Sequence, residues 1–210
     1  MRYELYNIGS TQADYEKLLS VFEQLQTDPS PQSVICLERW FDASMCAVLG
    51  ALLEDLSHVT VTTENQNIRS ILCKNRFLLQ YGEPWEADTY NTTIPYRRCT
   101  PEETLTRESI QSVQKLLNLE GFPTTSPSLQ RSISQSIFEL FDNVRVHSRS
   151  PVVCTCGQHY PKKHLIDFVI VDRGIGFYEC IREQRPSISN ALEAILWALE
   201  EGNTTKLSIC

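Results

Sequence analysis

The chain is short of basic residues, of glycine and of long apolar runs, and each shortage removes a class of function. Lysine and arginine total 19 against 26 aspartates and glutamates, a net charge of −7. Proteins that grip a phosphate backbone need clustered cations, so this balance argues against a nucleic-acid binder. No apolar run approaches the roughly 20 residues of a membrane helix. The segment after Met1 is polar and lacks the basic start and apolar stretch of a secretion signal. A protein without membrane contact, resident in the cytoplasm, is the expectation. No period repeats and no tract is of low complexity, which sets aside solenoids and disordered linkers. Only eight glycines are present, and none forms a G-x-G-x-x-G phosphate cradle.

What is present suffices for a real core: 41% of the 210 residues are hydrophobic, enough for one large domain or two small ones. The eight cysteines are scattered and several lie in apolar runs, where buried free thiols are the plain reading. The tightest group, Cys154 and Cys156 with His159 and His164, has a spacing unlike common zinc sites, so no structural metal is expected there.

The pattern divides the chain into residues 1–90, a small α/β unit, 91–100, a connector, and 101–210, a second unit. In the first, Leu18, Leu19, Phe22 and Leu25 recur at helical spacing. A strand over 33–37, a helix over 42–56 with Asp42 as its cap, a strand over 59–62 and a helix over 67–79 follow. Gly82-Glu83-Pro84 breaks the pattern, and 92–97 is an edge-strand candidate. In the second unit, Thr100-Pro101-Glu102-Glu103 reads as a capping box opening a helix to about residue 119. A loop over 121–128 leads to a long helix over 129–147. Strands over 152–155 and 165–171 come next, the latter ending in Asp172-Arg173-Gly174-Ile175-Gly176, and a last helix covers 189–200.

On the long helix, Ile133, Ile137, Phe141 and Val144 make a core face, while Glu139, Asn143 and His147 fall on a separate stripe at i+4 spacing. A solvated polar face accounts for that stripe as well as a site does. Asp172-x-Gly174-x-Gly176 after a buried strand supplies a carboxylate able to accept from an exocyclic amine, with glycines that admit a flat ring. A tight turn leaving a strand would use the same residues.

Taken together, Glu139-Leu-Phe-Asp-Asn143-Val-Arg-Val-His147-Ser148 and Ile170-Val171-Asp172-Arg-Gly174-Ile-Gly176-Phe177 resemble the N box and first glycine box of the GHKL ATPases. That ATP-binding fold is shared by histidine kinases, gyrase, MutL and the heat-shock chaperone ATPases. Cys156-Gly-Gln-His-Tyr-Pro-Lys-Lys163 and Ala198-Leu-Glu-Glu-Gly-Asn-Thr-Thr205 resemble one bacterial branch of it, so that the likeness covers about 101–205. It implies a two-layer α/β sandwich of the Bergerat type that binds ATP with Mg²⁺. Asn143 would coordinate Mg²⁺, Glu139 would activate the attacking water or hydroxyl, and Asp172 would accept from the adenine amine. Gly174 and Gly176 would shape the pocket, and His147 would border the nucleotide or serve only as a structural imidazole.

The implied function is that of an ATP-binding regulatory or signalling protein, with Mg²⁺-dependent ATP hydrolysis or phosphoryl transfer to a protein. The alternative is a non-catalytic interaction module that keeps the fold. Two departures bear on this. Val144 stands where the family usually has alanine, and no second glycine box precedes Leu207-Ser208-Ile209-Cys210. Base-directed affinity with little preference for ATP over ADP, and little or no turnover, is therefore expected. The first unit resembles the second half of a STAS-like module, with Asp42-Ala43-Ser44 where such modules carry a phosphorylatable serine, although helix capping explains the same residues. A regulatory protein partner is implied, and a homodimer is compatible with it.

Overall fold

The computed structural model describes residues 1–106 and 126–200. Tyr3, Leu5 and Ile8 are buried along Arg2–Ile8, which forms strand β1, an element the sequence pattern did not suggest. Helix α1, Gln12–Thr27, buries Leu18 and Leu25. Strand β2, Ser33–Phe41, runs four residues beyond the expected end at Leu37. It continues because Asn7 and Arg39 adopt left-handed backbone, φ 53° and 64°, where the β1–β2 register breaks, which keeps Phe41 in the core. Strand β3, Val59–Thr62, shows the strict alternation of buried and exposed residues that made it legible. These strands are parallel in the order β1-β2-β3.

The expected helix over 42–56 divides into a single 3₁₀ turn, Ala43–Met45, and helix α2, Cys46–Leu53. Asp42 does not cap it. Its Oδ1 instead accepts from Trp40 Nε1 at 3.0 Å and from the Tyr160 hydroxyl at 3.1 Å. Helix α3, Gln66–Lys74, is capped by Asn65, whose side chain accepts from the Asn67 and Ile68 amides. A 3₁₀ turn, Phe77–Tyr81, completes what the sequence suggested as one helix.

The second sheet is an antiparallel meander of β4, Thr93–Cys99, β5, Val153–Tyr160, and β6, Leu165–Asp172. Strand β4 thus arises within residues 91–100, and β5 extends five residues past the expected Thr155. Helix α4, Pro127–Asn143, is capped by Ser126, whose Oγ accepts the Leu129 amide at 3.2 Å. Helix α5, Gly176–Arg182, was not foreseen, and α6, Ala191–Leu199, is capped by Asn190. Of the helix expected over 101–119, the described part is a 3₁₀ turn, Glu102–Leu105, where the Thr100 amide donates to Glu103 Oε2 at 2.8 Å. The remainder lies outside the described residues. The chain is of the α/β class, and no described helix is long and apolar enough to cross a membrane.

Helix α2 joins the halves. Its sequence, CAVLGALL, is apolar on every side, and such a helix needs cover all round. It shares one core with Ile35 and Leu37 of β2 and with Cys154 and Cys156 of β5, with Val169 and Val171 of β6 packed against that cluster. Burial of Leu49 and Leu53 within it contributes roughly 1.5–3 kcal/mol each. Gly50 permits the close approach: a Cβ there would lie 2.8 Å from the Tyr96 ring and closer still to its hydroxyl. Alternation along β5 and β6 sends Val153, Thr155, Phe168 and Asp172 to the other face. There α4 packs, with Phe141 edge-on to Phe168 at 6.3 Å and Ile133 beside Ile94.

Candidate functional site

The long helix and the glycine turn meet at one place. After Asn143 the α-helix gives way to a π turn, Val144–Ser148, and Arg149 leaves it in left-handed conformation, φ 54°. The Ser148 hydroxyl donates to the Val144 carbonyl at 2.6 Å, taking an acceptor that a regular turn would use. Glu139 and Asn143 remain on one exposed line of α4, and Glu139 Oε1 accepts from Gln135 Nε2 at 3.2 Å. His147, inside the π turn, is half-buried where Glu139 and Asn143 are exposed.

Asp172 ends β6, exposed, on the sheet face that carries α4. Its Oδ1 accepts the Gly174 amide at 2.8 Å, a turn-forming bond that uses part of a carboxylate's acceptor capacity and leaves further lone pairs for a ligand. The turn then docks on the end of the helix. Ile175 N–H donates to the Ser148 carbonyl at 2.9 Å and Arg173 N–H to Ser150 Oγ at 2.9 Å. Gly174 is required here, because a Cβ would lie 2.5 Å from the Ser148 carbonyl carbon and closer still to its oxygen. Gly176 is needed for a different reason: its φ is 73°, although a Cβ there would meet no atom within 4 Å. It opens α5, and Arg149 reaches across to Glu183 of the following residues, Nη1 to Oε1 2.7 Å.

Asp172, Gly174 and Gly176 are thereby tied to the helix end five residues past Asn143, which itself lies one turn beyond Glu139. A shallow cleft on the same sheet face is lined by Ile94, Pro95, Arg97, Phe141, Thr155 and Phe168 among others, and Glu139, Asn143 and Asp172 are not among its walls. Ser148 and Ser150, which make the docking bonds, were missed from sequence. The only signal was the turn-forming run Ser148-Arg149-Ser150-Pro151.

The cysteine and histidine group does not converge. Cys154 and Cys156 face α2, whereas His159 lies on the opposite face of β5 by alternation. The Cys156 thiol donates to the Ala43 carbonyl at 3.1 Å, and Asn75 Nδ2 donates to Cys46 and Cys156 sulfurs at 3.4 and 3.5 Å. Burial, reinforced by Cys156, pushes the Cys46 thiol well up, and burial also raises Cys154 beside Tyr96. Such thiols are poor nucleophiles. His159 is buried with neither ring nitrogen hydrogen-bonded, and burial, with His164 adding to it, lowers its pKa. Among the described residues no group of three or more His, Cys, Asp or Glu side chains could hold a metal. Ser44 is fully buried with its hydroxyl unpartnered, which is no place for a phosphoacceptor.

No family model matches the chain, and neither a curated protein nor a solved structure matches it.

Proposed function

We propose that the chain is an ATP-binding regulatory or signalling protein of the GHKL type, with β4, α4, β5 and β6 forming part of a Bergerat-type sandwich. The observation that carries this reading is the docking of the Asp172–Gly176 turn, through Gly174, on the end of the helix that presents Glu139 and Asn143. A carboxylate, a pair of glycines and a helix with an amide and a second carboxylate on one line then belong to a single rigid corner. In the reading, Asp172 accepts from the exocyclic amine of adenine while Gly174 and Gly176 leave the ring room. Asn143 offers a neutral oxygen to Mg²⁺ that arrives with the phosphates, which suits a cation held by one or two protein ligands and otherwise by phosphate and water. When bound, that ion supplies neutralisation of the developing phosphate charge. Glu139, exposed and held through Gln135, is the group that orients or deprotonates the attacking water or hydroxyl.

A second reading, a non-catalytic interaction module, is favoured by the lack of any G-x-G-x-x-G run in the 210 residues. Each charge-assisted hydrogen bond withheld from the phosphates costs about 1.5–3 kcal/mol. Two such losses weaken binding by roughly two to four decades. Mg²⁺-dependent ATP turnover, measured beside ATP and ADP affinities on the purified chain, separates the two. Turnover supports the enzyme; nucleotide binding without turnover and without preference for ATP supports the module; absence of any nucleotide binding overturns the ATP-binding reading.

A further inference from the structure

Among the described residues the two sheets have four edge strands, and three of them carry features that discourage pairing. The outer edge of β1 has the Arg2–Glu4 charge pair and a break at Asn7. Strand β3 is only four residues long. Strand β4 holds Pro95, Arg97 and Arg98, and its register breaks between Ile94 and Arg97. Proline, charge, bulges and short length are the usual means by which proteins protect sheet edges.

Strand β6 has no proline and no bulge and is eight residues long, and its charges are Asp167 and the terminal Asp172. Its sequence is Leu-Ile-Asp-Phe-Val-Ile-Val-Asp, and it pairs with β5 over all eight residues without a register break. Its six central residues are half-buried and Leu165 is exposed. In an antiparallel sheet every second residue directs both N–H and C=O outward, so this edge offers roughly eight backbone groups to a neighbour. No described strand takes them. The one central charge, Asp167, faces the first unit, where burial and Asp42 raise its pKa and Lys163 opposes them.

We infer that the outer edge of β6 is a homodimer surface, on which a second copy adds its own β6 antiparallel about a twofold axis, in the register centred on Phe168. The strand is self-complementary in that register. Ile166 then lies opposite the partner subunit's Ile170, Leu165 opposite the partner subunit's Val171, and Asp167 opposite the partner subunit's Val169. Asp172 falls outside the paired segment. Centring on Asp167 instead would set two carboxylates face to face, an arrangement that like-charge repulsion disfavours. A twofold interface needs one patch complementary to itself, and this edge provides it without help from any other segment. The product is a six-stranded sheet made from two copies of β4-β5-β6, with α4 of each copy on the same face. The inference is independent of nucleotide binding.

The test uses the whole chain. Sedimentation velocity from about 1 to about 100 μM is combined with residue-resolved amide exchange over 165–171. The expected result is a doubling of mass as concentration rises. Protection of every second β6 amide should rise with it, to match the amides already bonded to β5. A monomer at the highest concentration overturns the proposal, whether its alternate β6 amides exchange fast or are protected by its own chain. A dimer whose alternate β6 amides still exchange fast overturns it too, because its interface lies elsewhere.

Discussion

Replacing Gly174 with alanine probes the corner on which the functional reading rests. The added Cβ would lie 2.5 Å from the Ser148 carbonyl carbon and 2.8 Å from Asp172 Oδ1, about 1 Å inside ordinary contact. Backbone cannot swing aside as a side chain can, so the turn must lift from the helix end. Lifting breaks the Ile175 N–H bond to Ser148 and the Arg173 N–H bond to Ser150, both 2.9 Å. At about 0.5–1.5 kcal/mol each, with roughly 1 kcal/mol of residual strain, the variant should lose about 2–4 kcal/mol. Gly176→Ala is the control: its φ of 73° carries the left-handed penalty of about 1 kcal/mol, with no neighbour in the way. Urea unfolding followed by circular dichroism reads the difference. With a slope of about 2 kcal/mol per molar, Gly174→Ala should shift the midpoint by roughly 1–2 M. An effect no larger than that of Gly176→Ala would refute the docking of this turn.

Three further outcomes are expected. Gly50→Ala should destabilise despite alanine's better helix propensity, by about 1–2 kcal/mol net, because the Cβ meets a Tyr96 ring already held edge-on by Phe77 at 5.0 Å; unchanged thermal stability would show that Tyr96 moves away freely. Asp14 is held down to about 2 by its Lys17 and Thr11 hydrogen bonds, so its contribution is fully present above the ordinary carboxylate range and is lost as pH falls through about 2. Asp14→Asn should therefore lower stability at neutral pH and flatten the acid limb of a stability-versus-pH curve, and an unaltered limb would count against the contact. Ser44→Ala removes a buried, unpartnered hydroxyl and should leave stability unchanged or raise it by up to about 1 kcal/mol; a clear loss in urea would mean the hydroxyl has a partner.

Local patterns were readable where periodicity was long and unbroken. Strands β3 and β6 and helix α4 stood out because their apolar spacing matched one period throughout. Strand β1 was passed over because Tyr3 and Leu5 give only two beats of alternation before the left-handed Asn7. The far half of β5 was hidden because Gly157-Gln158-His159-Tyr160 has turn-like composition, although tertiary pairing with β6 makes it strand. Asp42 looked like a helix cap, but Trp40 and Tyr160 claim its carboxylate, and Tyr160 lies 118 residues away. At the candidate site, Glu139, Asn143, Asp172 and the two glycines were visible as types at spacings. The π turn that contains His147, and the serines that fasten the glycine turn, depend on contacts between segments and left no local period. The core shared through α2 had one trace in the sequence, a helix without a polar face.

The central claim, that the Asp172 corner recognises an adenine nucleotide, is tested most directly by titration calorimetry with Mg²⁺-ATP on the unmodified chain, Asp172→Asn and Glu139→Ala. The first should bind. Asp172→Asn should lose binding, because the amide cannot accept from the adenine amine as the carboxylate does, while Glu139→Ala should bind as the unmodified chain does, since Glu139 acts on the reaction and not on the base. Equal binding by the unmodified chain and Asp172→Asn, or none by the unmodified chain, would contradict the claim.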